Sequence, residues 1–239
     1  MEEDTGRKWL PLEANPDVMN DFARRLGAPP SAAFHDVFGL DPDLLAMVPQ
    51  PVRAVLLLFP ITEQSDAADA DEIKDLAASS AGAGAGQSVY FLRQTVGNAC
   101  GTIGLLHALL NNAEAVPPGH GSYLERFKEK TAAMSPMERA HFLEEDQELE
   151  GAHESAASTG DTQAPDRHDP VNLHFVCFVE KQGTLYELDG RKPFPIPHGP
   201  SSPSTLLQDS AKVVQKSIAR SSDALNFNVI ALGGANEDM

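Results

Sequence analysis

Leu173-His174-Phe175-Val176-Cys177-Phe178-Val179-Glu180-Lys181-Gln182-Gly183-Thr184-Leu185-Tyr186-Glu187-Leu188-Asp189 is the stretch whose reading decides the fold. Leu173, Phe175, Cys177 and Val179 alternate with His174, Val176 and Phe178, the two-residue period of a strand. Lys181-Gln182-Gly183 is a turn, and Thr184 to Asp189 is the return strand. Two strands joined this tightly run antiparallel. Upstream, Val52 to Phe59 is a near-continuous apolar run stopped by Pro60, the signature of a buried central strand. Downstream, Asn226 to Leu232 reads as a late strand.

Helices fill most of the remainder. Asn15-Pro16-Asp17 opens one with an N-cap, a proline at the first helical position and a first-turn acid; Gly27 closes it. Asp41-Pro42-Asp43 starts a short one. Cys100 to Leu110 is a buried helix with Ile103, Leu106 and Leu110 on one face. Ser135-Pro136-Met137-Glu138 is a capping box, opening a helix that carries Phe142, Leu143 and Leu149. Thr205 to Ala219 completes the set. Helices early, strands mostly late and one buried strand between them predict an α+β fold, or α/β layers over an antiparallel sheet.

Two stretches stand apart. Residues 64–87 are Ala, Ser, Gly and Asp, too polar and small to bury a core. They read as a flexible surface insert, helical at most from Asp71 to Ala78, or as a domain boundary. Residues 150–170 are polar and weak in apolar side chains, a long loop of the kind that is functional or disordered. The tail from Gly233 is expected to fray.

Composition bounds the function. The 239 residues carry 18 Lys and Arg against 35 Asp and Glu, a formal charge of −17. Nucleic-acid binding needs a basic face, and anionic membrane surfaces repel such a chain. A basic partner would be attracted. Two cysteines exclude a disulfide framework and a cysteine-based zinc site. The histidines have no metal-ligand spacing, and no metal or other cofactor is expected. The acidic N-terminus lacks a secretory signature. A reduced compartment follows, the cytoplasm and with it the nucleus.

Cys100 is the first candidate for chemistry. It sits at a helix N-terminus, which lowers a thiol pKa, between Gly97 and Gly101, which admit a substrate backbone. Its plain alternative is a small buried hydrophobe. His174 is the second. A turn at 181–183 pairs positions summing to 363–365, so His174 faces 189, 190 or 191 and Asp189 is opposite or adjacent. The carboxylate would fix the imidazole tautomer; alternatively Asp189-Gly190 is only a turn. Gln94, six residues before Cys100, could supply an amide N–H to an oxyanion beside the Cys100 backbone N–H; otherwise it is a surface glutamine. Cys177 lies on the face opposite His174 and reads as core.

Gln94-Thr-Val-Gly-Asn-Ala-Cys100-Gly-Thr-Ile-Gly-Leu-Leu-His-Ala108 resembles the nucleophile motif of the ubiquitin carboxyl-terminal hydrolases, in particular their small single-domain L-type isozymes. Trp9 to Pro16, Asp41 to Pro49, Ala54 to Pro60, Leu173-His-Phe175 and Leu185 to Pro195 resemble the same family. The resemblance covers about residues 8–63 and 88–232. It implies one catalytic domain over 1–239 with a papain-like cysteine peptidase fold. In that fold a knotted backbone builds a central antiparallel sheet flanked by helices.

By the same resemblance Cys100 is nucleophile, His174 general base and acid, Asp189 its orienter and Gln94 the oxyanion donor. Residues 64–87 match nothing in the family. Residues 150–170 correspond to a loop crossing over the active site, with Gly151 and Gly160 suiting a gate. The implied reaction is thioester-mediated hydrolysis at the last glycine of ubiquitin, releasing small adducts or short peptides. Ubiquitin's basic face and arginine-bearing tail suit a chain at −17. Pro11, Leu12, Glu13, Ala14, Asn15, Pro16, Ala157, Ser158, Thr159, Leu173, Ala224, Leu225, Asn226, Phe227, Asn228 and Val229 are expected to touch it. A free-standing monomer is expected. Two other readings stand beside this one: action on a closely related ubiquitin-like modifier, and a ubiquitin-binding or ubiquitin-stabilising protein with little turnover.

Overall fold

The computed structural model describes residues 6–78, 86, 88–162, 165–220 and 226–235. Within these, α1 (Pro16–Leu26), β1 (Ala32–Asp36), α2 (Pro42–Leu45), β2 (Ala54–Pro60) and α3 (Glu63–Ala78) are followed by four more helices. These are α4 (Cys100–Asn111), α5 (Tyr123–Thr131), α6 (Pro136–Glu144) and α7 (Gln147–Ala157). Then come β3 (Leu173–Lys181), β4 (Thr184–Leu188), β5 (Ile196–Pro200), α8 (Leu206–Arg220) and β6 (Asn228–Gly234). The strands form one sheet in the order β1-β6-β2-β3-β4-β5, every neighbouring pair antiparallel. This is the helix-flanked antiparallel sheet that the sequence predicts.

Alternation divides the sheet into two faces. Ala54, Leu56, Phe175, Cys177, Ile230 and Leu232 turn toward α4 and the core shared with Trp9, Phe22 and Phe127. Val55, Leu57, Val176, Phe178, Val229 and Ala231 turn toward α8, packing on Leu207 and Val214. Buried on both sides, β2 and β3 read as apolar runs for that reason. Among the described residues no helix is long and apolar enough to cross a membrane.

Local chemistry sets the helix ends. Asn15 accepts from the N–H of Asp17, and Gly27 closes α1 with φ 104°. Ser135 and Glu138 complete the capping box of α6. That helix stops at Glu144 rather than carrying Leu149, because Asp146 caps a new one, its carboxylate accepting from Leu149 N–H at 3.0 Å.

Three expectations are corrected. The insert at 64–87 is helical from Glu63, not from Asp71: Thr62 and Ser65 cap its start reciprocally, and α3 runs to Ala78 with no residue buried. Its remainder, 79–85 and 87, lies outside the described residues. The loop at 150–170 is helical through Ala157. Leu149, His153, Ala156 and Ala157 make its buried stripe, and their small or polar character hid the period. Gly151 is therefore a helix residue, not part of a gate. The chain does not fray at Gly233, which pairs with Ala33, while Gly234 pairs with Ala32.

Candidate active site

Cys100 begins α4, a helix buried along its whole length. Ala99 before it provides no side-chain cap, so first-turn N–H groups keep their partial positive charge beside the thiol. Glycines set the packing distance. A Cβ on Gly101 would lie 3.0 Å from Leu12 and 3.4 Å from Phe175, and one on Gly104 would lie 3.2 Å from Leu56. Cys100 is 9% exposed.

His174 is the second residue of β3 and pairs in register with Phe59 of β2, whose ring it meets edge-on at 5.9 Å. Its Nε2 lies 2.7 Å from Asp189 Oδ1, and the two residues are 3% and 2% exposed. A carboxylate only accepts, so Nε2 carries the hydrogen and Nδ1 is left for Cys100. Asp189 Oδ1 also accepts the Arg191 N–H at 2.8 Å. The β3–β4 register sums to 365, and its last ladder pair is Cys177 with Leu188. Asp189 thus follows the ladder directly and reaches His174 diagonally.

Burial alone would raise the Cys100 thiol, but a hydrogen bond to His174 and the charge of that ring outweigh it and hold the thiol low. Burial opposes the imidazolium, yet the Asp189 carboxylate pushes His174 up to about 10. Burial likewise opposes the Asp189 charge, and the His174 charge and hydrogen bond keep this carboxyl low. All three shifts favour a thiolate beside an imidazolium, the reactive state of a cysteine nucleophile.

Gln94 packs against the residue after Asp189. Its backbone N–H donates to Gly190 C=O at 2.9 Å, and a Cβ on Gly190 would come 2.9 Å from Gln94 Cβ. Gln94 Nε2 donates to Val96 C=O at 3.0 Å, while Oε1 is buried without a hydrogen-bond partner. The amide nitrogen has a second hydrogen to give. The backbone N–H of Cys100, in the first turn of α4, is a further donor of this kind.

Cys100 opens into a cleft of about 400 Å³. Pro11, Leu12, Glu13, Ala14, Ala157, Leu173, Asn226, Phe227 and Asn228 line it, all named from the sequence. Asn15 instead caps α1 and bonds Asp161, and Pro16 is the first residue of that helix. The hydroxyls of Ser158 and Thr159 close the end of α7 on Glu154 and Ala156 carbonyls. Val229 packs under α8. Ala224 and Leu225 lie outside the described residues. Leu58, Asn98, Pro165, Val171 and Phe175 also line the cleft and were not singled out. Asn98, with φ 61°, had a signal in its place between Gly97 and Cys100.

The segment after α7 straps this cleft. Glu13 Oε2 accepts from Thr162 N–H at 3.1 Å and from its hydroxyl at 2.8 Å. Asn98 Nδ2 donates to Arg167 C=O at 3.3 Å. Gly160 lets the strap close on Glu13, since a Cβ there would sit 2.1 Å from Oε2 and push that carboxylate aside.

Cys177 is fully buried, and burial pushes its thiol up, away from reactivity. Both cysteines are free. Among the described residues no group of His, Cys, Asp and Glu could hold a metal ion.

Sheet, thiol-bearing helix and carboxylate-backed imidazole together put the molecule in the class of papain-like cysteine hydrolases. Sequence comparison narrows the class. Residues 9–219 match the family described as ubiquitin carboxyl-terminal hydrolase, family 1, and the chain belongs to that family. It is 50% identical to ubiquitin carboxyl-terminal hydrolase 3 of Arabidopsis thaliana over 232 residues, 97% of this chain and 96% of the relative. It is 42% identical to ubiquitin carboxyl-terminal hydrolase isozyme L1 of Macaca fascicularis over 222 residues, 93% and 96% of the two chains. In fold it is similar to the UCH37 catalytic domain of Trichinella spiralis, solved bound to ubiquitin vinyl methyl ester. The TM-score is 0.73 at 21% identity, over 95% of this chain and 96% of that one.

Proposed function

We propose that this cysteine hydrolase cleaves small adducts and short peptides from the carboxyl-terminal glycine of ubiquitin. The carrying observation is the 2.7 Å contact of His174 with Asp189 behind a thiol held low at the floor of a strapped cleft. Cys100 Sγ attacks the glycine carbonyl carbon. The Cys100 N–H and the free Gln94 amide hydrogen receive the oxyanion. His174 gives its Nδ1 proton to the departing amine, leaving a thioester. It then takes a proton from water, whose oxygen attacks the thioester, and the thiolate departs.

The strap supports small leaving groups. With both ties made, its longest free span runs from Arg167 to Asn172, whose carbonyl accepts the Ile61 N–H at 2.7 Å, about 17 Å when fully extended. That admits an extended tail and excludes a folded domain. Asp161, Asp166 and Asp169 on the strap suit a basic tail, and the net charge of −17 suits attraction of its owner. We assign the enzyme to the reduced cytoplasm and nucleus as a monomer, working free of nucleic acid and membrane; two free thiols and the acidic charge support this.

Intact-mass labelling with ubiquitin bearing a thiol-reactive carboxyl end tests the reading. One adduct, absent only in Cys100→Ala among single cysteine variants, is the expected result. No adduct with ubiquitin but one with a related modifier would transfer the activity to that modifier. Tight ubiquitin binding with neither adduct nor turnover would make the protein a binder.

A further inference from the structure

His153 takes no part in the chemistry above, yet it is fully buried at the junction of three segments that build the cleft. It lies on α7, one turn before the strap. Its Nε2 is 2.6 Å from Leu10 C=O and its Nδ1 is 2.7 Å from Thr102 Oγ1. A carbonyl only accepts, so Nε2 carries the hydrogen, and Nδ1 of the neutral ring accepts from the Thr102 hydroxyl. Burial, which lowers its pKa, keeps the ring neutral. The ring also packs on Trp9 at 4.6 Å.

Glu154 completes the grip. Its Oε1 accepts the Leu10 N–H at 3.2 Å, so both backbone polar groups of Leu10 are held by adjacent residues of one helix. Its Oε2 accepts from Arg167 at 3.2 Å, and the Arg167 carbonyl in turn accepts from Asn98. Leu10 directly precedes Pro11 to Ala14, the N-terminal wall of the cleft. Thr102 stands two residues after the nucleophile, in the first turn of α4.

We propose that His153, with Glu154 beside it, is a positioning residue. It sets the N-terminal wall of the cleft and the root of the strap at a fixed distance from the nucleophile helix, and so governs substrate capture rather than the chemical step. The inference rests on the cleft being the ubiquitin-tail channel. Neither residue touches Cys100, His174 or Asp189 among the described contacts. Loosening the junction should therefore separate KM from kcat.

The test uses Thr102→Val, which keeps side-chain shape and removes the hydroxyl, with Thr102→Ser as the conservative control and His153→Ala as the full deletion. Hydrolysis of a carboxyl-terminal ubiquitin reporter, Cys100 alkylation by iodoacetamide and tryptic cleavage after Lys8 are measured for each. Expected for Thr102→Val are a KM raised about tenfold, kcat and alkylation within twofold of wild type, and faster cleavage after Lys8. Thr102→Ser restores KM and the cleavage rate, and His153→Ala exceeds Thr102→Val in both wherever it folds. An unchanged KM and cleavage rate in Thr102→Val overturns the proposal, as does a fall in kcat and alkylation together. If wild type itself fails to hydrolyse the reporter, the substrate reading falls, while tryptic cleavage still decides whether His153 holds the N-terminal wall.

Discussion

The backbone N–H of Gln94 donates to the carbonyl of Gly190 over 2.9 Å, joining the residue proposed as oxyanion donor to the residue that follows Asp189. Arg93 Nε donates to the same carbonyl at 3.1 Å. Two chain segments almost a hundred residues apart are thereby fixed against each other, and the close approach has no room for a side chain at 190. Gly190→Ala should cost about 1–3 kcal/mol from overpacking and lower kcat at least tenfold. Denaturant midpoints and reporter kinetics measure both; a normal kcat would mean the two segments tolerate displacement.

Gln94→Ala removes an amide donor and should lower kcat by about 10²–10³, the usual loss for one oxyanion donor, with KM little changed. Single-substrate kinetics decide it. A near-normal kcat would make Gln94 a packing residue.

The pH profile follows from the pair at the centre. A thiol held below its ordinary value extends the thiolate toward lower pH, and an imidazolium held up to about 10 keeps the proton for the leaving group until that range. The two titrate as a coupled pair. Asp189→Asn removes the charge that raises His174 and leaves burial, which lowers it. The alkaline limb of kcat/KM should then move down by more than one pH unit as the rate falls. An unmoved limb would show that another group sets it.

The charged cluster under α3 makes a stability prediction. Lys192 is 5% exposed and contacts Glu187 at 2.7 Å, Asp69 at 3.0 Å and Glu72 at 3.4 Å. Burial disfavours the Glu187 charge, but Lys192 and His198 outweigh it and bring this carboxyl down to about 2. A depressed carboxyl stabilises the fold above its unfolded value near 4.5 and loses that contribution as pH falls toward 2. Lys192→Met should destabilise the fold at neutral pH by leaving the buried Glu187 carboxylate with His198 as its remaining partner and by releasing Asp69 and Glu72 of α3. Hydrogen exchange should find α3 loosened before the sheet. Glu187→Gln should be less stable than wild type at pH 7, and the gap should narrow on acidification. A pH-independent gap would contradict the depressed carboxyl.

Glu13→Ala removes both bonds to Thr162 and frees one tie of the strap. Turnover of ubiquitin joined to a folded domain should rise several-fold relative to turnover of a small amide. An unchanged ratio would place the size limit elsewhere.

What the sequence made legible had a strong local signal. The β2 and β3 runs, the caps at Asn15 and Ser135 and the turn at Gln182-Gly183 each carry their own chemistry. The arithmetic across that turn alone brings His174 and Asp189 together. Only the second half of α3, from Asp71, is legible because nothing on the helix is buried; ion pairs from Lys192 and Arg191 hold it, and charge has no period. α7 was read as loop because its buried stripe uses His153 and two alanines. β1 and β5 were missed because each is only five residues and prolines interrupt the latter. The His153 junction joins residues about 50 and 143 positions apart, which no spacing rule reaches.

The placement of β6 has a consequence for synthesis. It lies between β1 and β2, although most of the chain separates it from them. Until β6 has left the ribosome, β1 has no partner in the sheet and β2 keeps an open, apolar edge. That edge needs protection until β6 is made. Removing β6 would therefore strip β1 of its place in the sheet and β2 of one of its two neighbours at a single stroke.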